Sequence, residues 1–136
     1  MPRLFASSLL FSLLALLVAC DPNQAPDDNG VSDKAYLAAF CTSLDHYSDT
    51  LARADDAPAI EAAMRDYIAA LQAIRAPRDL ARFHADFVAY VAAGLAEPSA
   101  RVGRPAPRPQ EKVADRIAAA EGAVDECQEA SYFGEE

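Results

Sequence analysis

The chain has 136 residues, with 21 acidic and 12 basic side chains and a net charge of −9. That length allows one small domain. The acidity disfavours nucleic acid or an anionic lipid surface as the main partner.

The first element in chain order is an apolar run. Arg3 is followed by Leu4 to Val18, without a charged side chain. As a helix this run of about 15 residues would measure ~23 Å. A membrane span needs ~30 Å of hydrocarbon, so a processed signal segment fits better than a permanent span. The run closes on Leu17-Val18-Ala19-Cys20, directly followed by Asp21. This stretch resembles the lipobox of a bacterial lipoprotein signal peptide. The resemblance implies cleavage before Cys20, acylation of Cys20 with chains such as palmitate, and attachment to the cell membrane outside the cytoplasm. Asp21 is similar to the signal that keeps enterobacterial lipoproteins in the inner membrane. Two or three acyl chains on one cysteine would make a firm anchor, because each buried methylene contributes ~0.8 kcal/mol.

Asp21 to Val31 holds two prolines, a glycine and mostly polar residues, so it reads as a flexible tether. Fully extended, it would span about 36 Å. The expected division is a signal peptide over 1–19, a lipidated tether over 20–31, a helical domain over 32–132 and an acidic tail over 133–136.

Within the domain the periodicity predicts four helices. Leu37, Phe40, Cys41, Leu44, Tyr47 and Leu51 recur at helical spacing over about Asp33 to Arg53, with Ser32 as the N-cap. Asp56 and Pro58 then mark a second helix from about Ala57 to Arg75, carrying Ile60, Met64, Tyr67, Ile68, Leu71 and Ile74. Pro77 interrupts it. A third helix, about Arg78 to Leu95, has Leu80, Phe83, Phe87, Val88, Val91 and Leu95 on one face.

The stretch from Glu97 to Pro109 contains Pro98, Pro105, Pro107 and Pro109 with Arg101, Arg104 and Arg108, and no helical period. It reads as an exposed, mobile loop of polyproline character. The three arginines lie where no acid stands between Ala100 and Gln110, and could dock an anionic partner such as lipid headgroups or a cell-wall polymer. A fourth helix is expected from about Gln110 to Ala130, since Val113, Ile117, Ala120, Val124 and Cys127 keep the period.

Four amphipathic helices joined largely by short turns predict an all-α fold, a small antiparallel four-helix bundle. If Cys20 carries lipid, Cys41 and Cys127 remain, and an extracytoplasmic compartment lets that even pair form one disulfide. Both fall on apolar stripes. With the fourth helix running antiparallel to the first, however, their levels would differ by roughly 9 Å. That exceeds the ~6.8 Å reach of a disulfide, but a shift of about two to four residues in the helix boundaries absorbs it, and a Cys41–Cys127 bridge is the expectation.

No residue is assigned to catalysis or to a metal, and no cofactor is expected. His46 with Asp45 and Asp49 reads as a solvated face, and His84, beside Phe83 and Phe87, as a satisfied histidine of the core or of its rim. There is no Cys-x-x-Cys, P-loop or Gly-x-Ser-x-Gly pattern. The sequence therefore points to a membrane-anchored interaction or scaffolding module at the cell envelope, periplasmic or on the outer face, working on an envelope protein or polymer. The alternative is a small-molecule or metal carrier with a pocket between helices.

Overall fold

The computed structural model describes residues 30–129 and 131–134. The segment Leu17 to Cys20, the tether up to residue 29 and the last two acids lie outside the described residues. No helix among the described residues is long and apolar enough to cross a membrane.

The architecture is all-α, a small bundle of four helices: α1 (Asp33–Ala52), α2 (Ala57–Ala73), α3 (Ala81–Ala96) and α4 (Glu111–Glu121). The first three begin and end close to where the sequence signals stand. The Ser32 hydroxyl accepts from the Ala35 amide at 3.1 Å, and an Asp56 carboxylate oxygen accepts from the Ala59 amide at 2.7 Å. Each satisfies one of the free N–H groups of a helix's first turn. Pro77 stops α2 early. A turn then closes from the Leu80 amide to the Pro77 carbonyl, so α3 starts at Ala81 rather than Arg78.

Three sets of contacts fix the directions. Tyr36 on α1 meets His84 on α3, and His84 also holds the Leu71 carbonyl on α2. Phe40 packs on Phe87 one turn further along α1 and α3. Tyr47 stacks on Tyr67 at 4.5 Å, further along α1 and further back along α2. So α1 and α3 rise together and α2 descends between them. Asp33, Ala73 and Ala81 mark the near end of the bundle, where the tether enters. Ala52, Ala57 and Ala96 mark the far end.

The chain then departs from four long helices. A 3₁₀ turn over Pro98–Arg101 leads into a second turn closed by the Arg104 amide on the Arg101 carbonyl. Gly103 has φ of +75° and Val102 has φ −63°, ψ 121°, as a type II turn requires. From Arg104 to Pro109 every residue is either a proline or precedes one. Proline fixes its own φ and keeps its predecessor out of the helical region. The segment is therefore an extended strut. It descends from the far end, past Tyr90 and then Tyr132, to α4.

Helix α4 has only 11 residues, which corrects the expected helix to Ala130. It stops before Gly122, a poor helix former. Val124 is extended (φ −110°, ψ 118°), and Cys127 lies on a separate 3₁₀ turn, Asp125–Cys127. The expected level mismatch between the cysteines does not arise. Because the strut supplies the descending run, α4 rises in the same sense as α1. Its Arg116 pairs with Asp33 at the near end, and Glu121 lies beside Cys41 eight residues up α1. Cys41 and Cys127 form a disulfide with their Cα atoms 5.0 Å apart.

The core is aromatic. Tyr36, Phe40, Phe83 and Phe87 from α1 and α3 meet Tyr132 and Phe133 from the chain end. Phe133 is 6% exposed, so the domain runs to Gly134 and not to 132, and the expected tail is partly core. A free acidic tail would leave this large apolar ring in water.

Candidate functional site

Three constructions carry the chemistry that the described residues offer. The first is a buried histidine. His84 sits on α3 at 8% exposure. Its Nε2 is 2.9 Å from the Leu71 carbonyl oxygen, which can only accept. The proton is therefore on Nε2, and Nδ1 accepts from the Tyr36 hydroxyl at 3.1 Å. Burial pushes the imidazole below the ordinary histidine range, opposed by the bond to Leu71. It pushes the Tyr36 phenol well above the ordinary tyrosine range. Both ring nitrogens are used inside the protein, so His84 is a neutral core group joining three helices. Of the two expected places, a satisfied core histidine or one at the core's rim, it takes the first.

The second is a carboxylate at the end of α4. Glu121 is 3% exposed. One oxygen accepts from the Tyr132 amide at 2.7 Å and the Phe133 amide at 3.2 Å. The other accepts from the amides of Phe133 at 3.1 Å and Gly134 at 2.8 Å, and from the Ser131 hydroxyl at 2.9 Å. Buried charge is tolerated only when its lone pairs are satisfied. Here three successive backbone N–H groups do this, and the chain end folds back over the aromatic core.

Glu121 also has a ligand atom within 4.8 Å of the sulfurs of Cys41 and Cys127. Two cysteines and a carboxylate can make a zinc site. The sulfurs here are bonded to one another, so neither is a thiolate, and the carboxylate is already held by the chain end. The donors do not fit a metal in this state.

The third construction is the strut with its arginines. Arg101 lies over the Tyr90 ring at 4.5 Å, and Arg108 over the Tyr132 ring at 5.4 Å. Such cation–aromatic contacts contribute ~0.5–1 kcal/mol each when exposed. Gly94 gives the Arg101 side chain its room, since a Cβ there would collide with it. Arg108 also donates to the Tyr132 carbonyl at 3.2 Å, and the Tyr132 hydroxyl donates to the Pro107 carbonyl at 2.9 Å. The segment is exposed at residues 102–105 and 108, as expected for this loop. The segment is clasped to α3 and to the chain end, because its prolines hold its carbonyls extended where tyrosine hydroxyls meet them. Arg104 alone of the three lies over no aromatic ring among the described residues; it is exposed, two residues from Val102, which is 81% exposed.

The structure brings Cys41 and Cys127 together; of the three arginines it seats Arg101 and Arg108 over tyrosine rings, and both Arg104 and Arg108 are exposed. His46 stays exposed on α1, while neighbouring Asp49 pairs with Arg53 at 3.7 Å. The sequence reading missed Glu121 and the Arg116 clamp. Arg116 bonds Asp33 at 2.9 Å and Asp79 at 2.7 Å, tying α4 to the start of α1 and to the α2–α3 connection. Its guanidinium holds the Asp79 carboxyl below the usual carboxylate range. The Tyr132-Phe133 pair, two aromatics beside acids, was the one signal that could have located the fold-back.

What fold and site define is a small all-α bundle closed by a disulfide, a buried carboxylate and an arginine-clasped strut. No family model, no curated protein and no solved structure matches the chain.

Proposed function

We propose that this chain is a lipid-anchored extracytoplasmic protein whose helical domain is an interaction or scaffolding module at the cell envelope. The observation that supports it most is the cysteine arrangement. Cys41 and Cys127 are joined in the core, so the only other cysteine is Cys20, in the lipobox-like Leu17-Val18-Ala19-Cys20. A chain that stores a core disulfide belongs to an oxidising compartment. Such a compartment is where a lipobox would send it.

On this reading Cys20 carries acyl chains, the tether lifts the bundle off the membrane, and the domain meets an envelope protein or polymer. The tie of His84 into the core and the bonding of the Cys41 and Cys127 sulfurs favour a binding surface over a carrier site or catalysis. Of the three arginines proposed for anionic docking, Arg104 is the one whose side chain is held by neither clasp.

Intact-mass analysis of the membrane-extracted chain tests the anchor. The expected mass is that of residues 20–136 plus a thioether-linked diacylglyceryl group, with or without an N-acyl chain, and minus two hydrogens for the disulfide, with Cys20→Ser remaining uncut and unacylated. A cleaved, lipid-free wild type would end the reading. Affinity capture from membranes with the lipidated chain as bait, using Arg104→Gln as comparison, then tests the docking surface.

A further inference from the structure

The large hydrophobic side chains left exposed among the described residues are Leu51 (36% exposed), Ile60 (41%) and Val102 (81%). Scattered single residues of this kind need no explanation. These three are not scattered. Leu51 ends α1, Ile60 begins α2, and Val102 caps the turn after α3. The up, down, up order of α1, α2 and α3 brings all three to the far end of the bundle, opposite the end where the tether enters.

The charges at that end come in two groups. The α1–α2 turn is acidic, with Asp55 and Asp56 beside Asp49 and Glu61, and the last two are paired along their helices with Arg53 and Arg65. The turn carrying Val102 is basic on balance, with exposed Arg104 and with Arg101 over Tyr90 against one acid, Glu97, whose carboxylate accepts from the Ser99 hydroxyl at 2.8 Å. Two apolar side chains thus stand by acids, and one apolar side chain stands by bases. Two copies related by a two-fold axis would set the basic turn of each against the acidic turn of the other, with the apolar side chains between them. A patch that is complementary to itself in this way is what an isologous pair requires. Mixed charge also disfavours docking on a surface of one sign, such as an anionic bilayer.

We propose that the far end of the bundle is a self-association surface, and that its partner is a second copy of this chain. Val102 of one copy packs against Leu51 and Ile60 of the other, and Arg104 faces Asp55, twice over. The proposal rests on reading the domain as an interaction module and is independent of whether Cys20 carries lipid. A tether that extends to about 36 Å lets two anchored domains lie end to end along a membrane.

Sedimentation equilibrium of the full chain in density-matched detergent tests this. The expected result is a reversible monomer–dimer equilibrium that weakens as salt rises. Val102→Asp and Ile60→Asp should each raise the dissociation constant about tenfold or more, since each removes a buried aliphatic contact. Val102 is 81% exposed in the monomer, so at concentrations where both proteins are monomeric Val102→Asp should unfold at the wild-type temperature, showing an intact fold. Arg104→Asp should weaken the pair, and adding Asp55→Arg should restore it. A monomer at every concentration, a dimer indifferent to Val102→Asp and Ile60→Asp, or a larger assembly would each overturn the proposal. None of those outcomes touches acylation or capture of a different partner, which are read separately.

Discussion

Residues 33–96 and residues 97–134 solve the same problem by different physics. The first region is three helices whose apolar stripes interlock, with caps at the starts of α1 and α2. Its stability is spread over many side chains, each replaceable by another of similar size. The second region has one short helix, a proline strut and two turns. It is held at a few points: the Cys41–Cys127 disulfide, the Glu121 carboxylate, the Arg116 clamp and the two arginine–tyrosine clasps. Where a segment buries too little periodic apolar surface, specific polar and covalent ties take over. Losing one tie then matters more than losing one side chain of a stripe.

The largest test of this contrast is the disulfide. Replacing Cys41 and Cys127 together with alanine should lower stability by about 2–5 kcal/mol, because the bridge closes a long loop of the unfolded chain. Urea unfolding with and without the pair measures it. An unchanged midpoint would mean that the helical region alone carries the fold.

Next is Glu121. Glu121→Ala leaves the buried amide of Phe133 and the partly buried amides of Tyr132 and Gly134 without their acceptor, and should lower stability by about 2–3 kcal/mol. Near-ultraviolet circular dichroism should change as Tyr132 and Phe133 leave the aromatic cluster. A conserved aromatic signal would show that apolar packing holds the chain end without the carboxylate.

The helical region has its own point tie, and acid probes it. His84 is neutral in the fold and below its ordinary pKa of about 6.5, whereas the unfolded chain has the ordinary value. The unfolded state therefore binds a proton first as pH falls. This contribution to stability is fully present above about pH 7 and is lost as pH drops below 6.5 toward the folded pKa. His84→Gln keeps a donor for Leu71 and an acceptor for Tyr36 but does not titrate. It should flatten the stability profile between about pH 7 and 5. A steep profile that survives the substitution would place the sensitivity elsewhere.

The smallest effect comes from a pair of tyrosines. The Tyr67 hydroxyl is buried without a hydrogen-bond partner among the described residues, and burial raises its pKa. Tyr67→Phe should lose nothing and gain up to about 1 kcal/mol. Tyr36→Phe, which removes the bond to His84, should lose about 1 kcal/mol. Thermal melts of the two variants should move in opposite directions.

The same contrast sets what was readable in the sequence. Helices α1 to α3 show in the spacing of Leu37, Phe40, Leu44, of Tyr67, Leu71 and of Phe83, Phe87, Val91, because stripes are periodic and caps are local. The disulfide was readable by counting. The end of α4 was not. Ile117, Val124 and Cys127 all do face the core, as their spacing suggests, but Val124 and Cys127 get there through a break after Glu121 and a 3₁₀ turn. Inward periodicity does not reveal a change of backbone within it. Nor does a single glutamate in an alanine-rich helix announce that it grips a chain end ten residues on. The strut was read correctly as proline-ordered and exposed, but its contacts were not readable, because its partners Tyr90 and Tyr132 are distant in sequence.

Amide hydrogen exchange at the chain end tests the central claim most directly, namely that point ties hold the second region as firmly as packing holds the first. The amides of Tyr132, Phe133 and Gly134 belong to no helix or sheet, yet they donate to a buried carboxylate. The account predicts slow exchange at all three, comparable with the middle of α1. Exchange at the rate of an unstructured peptide would contradict it and return the chain end to a free tail.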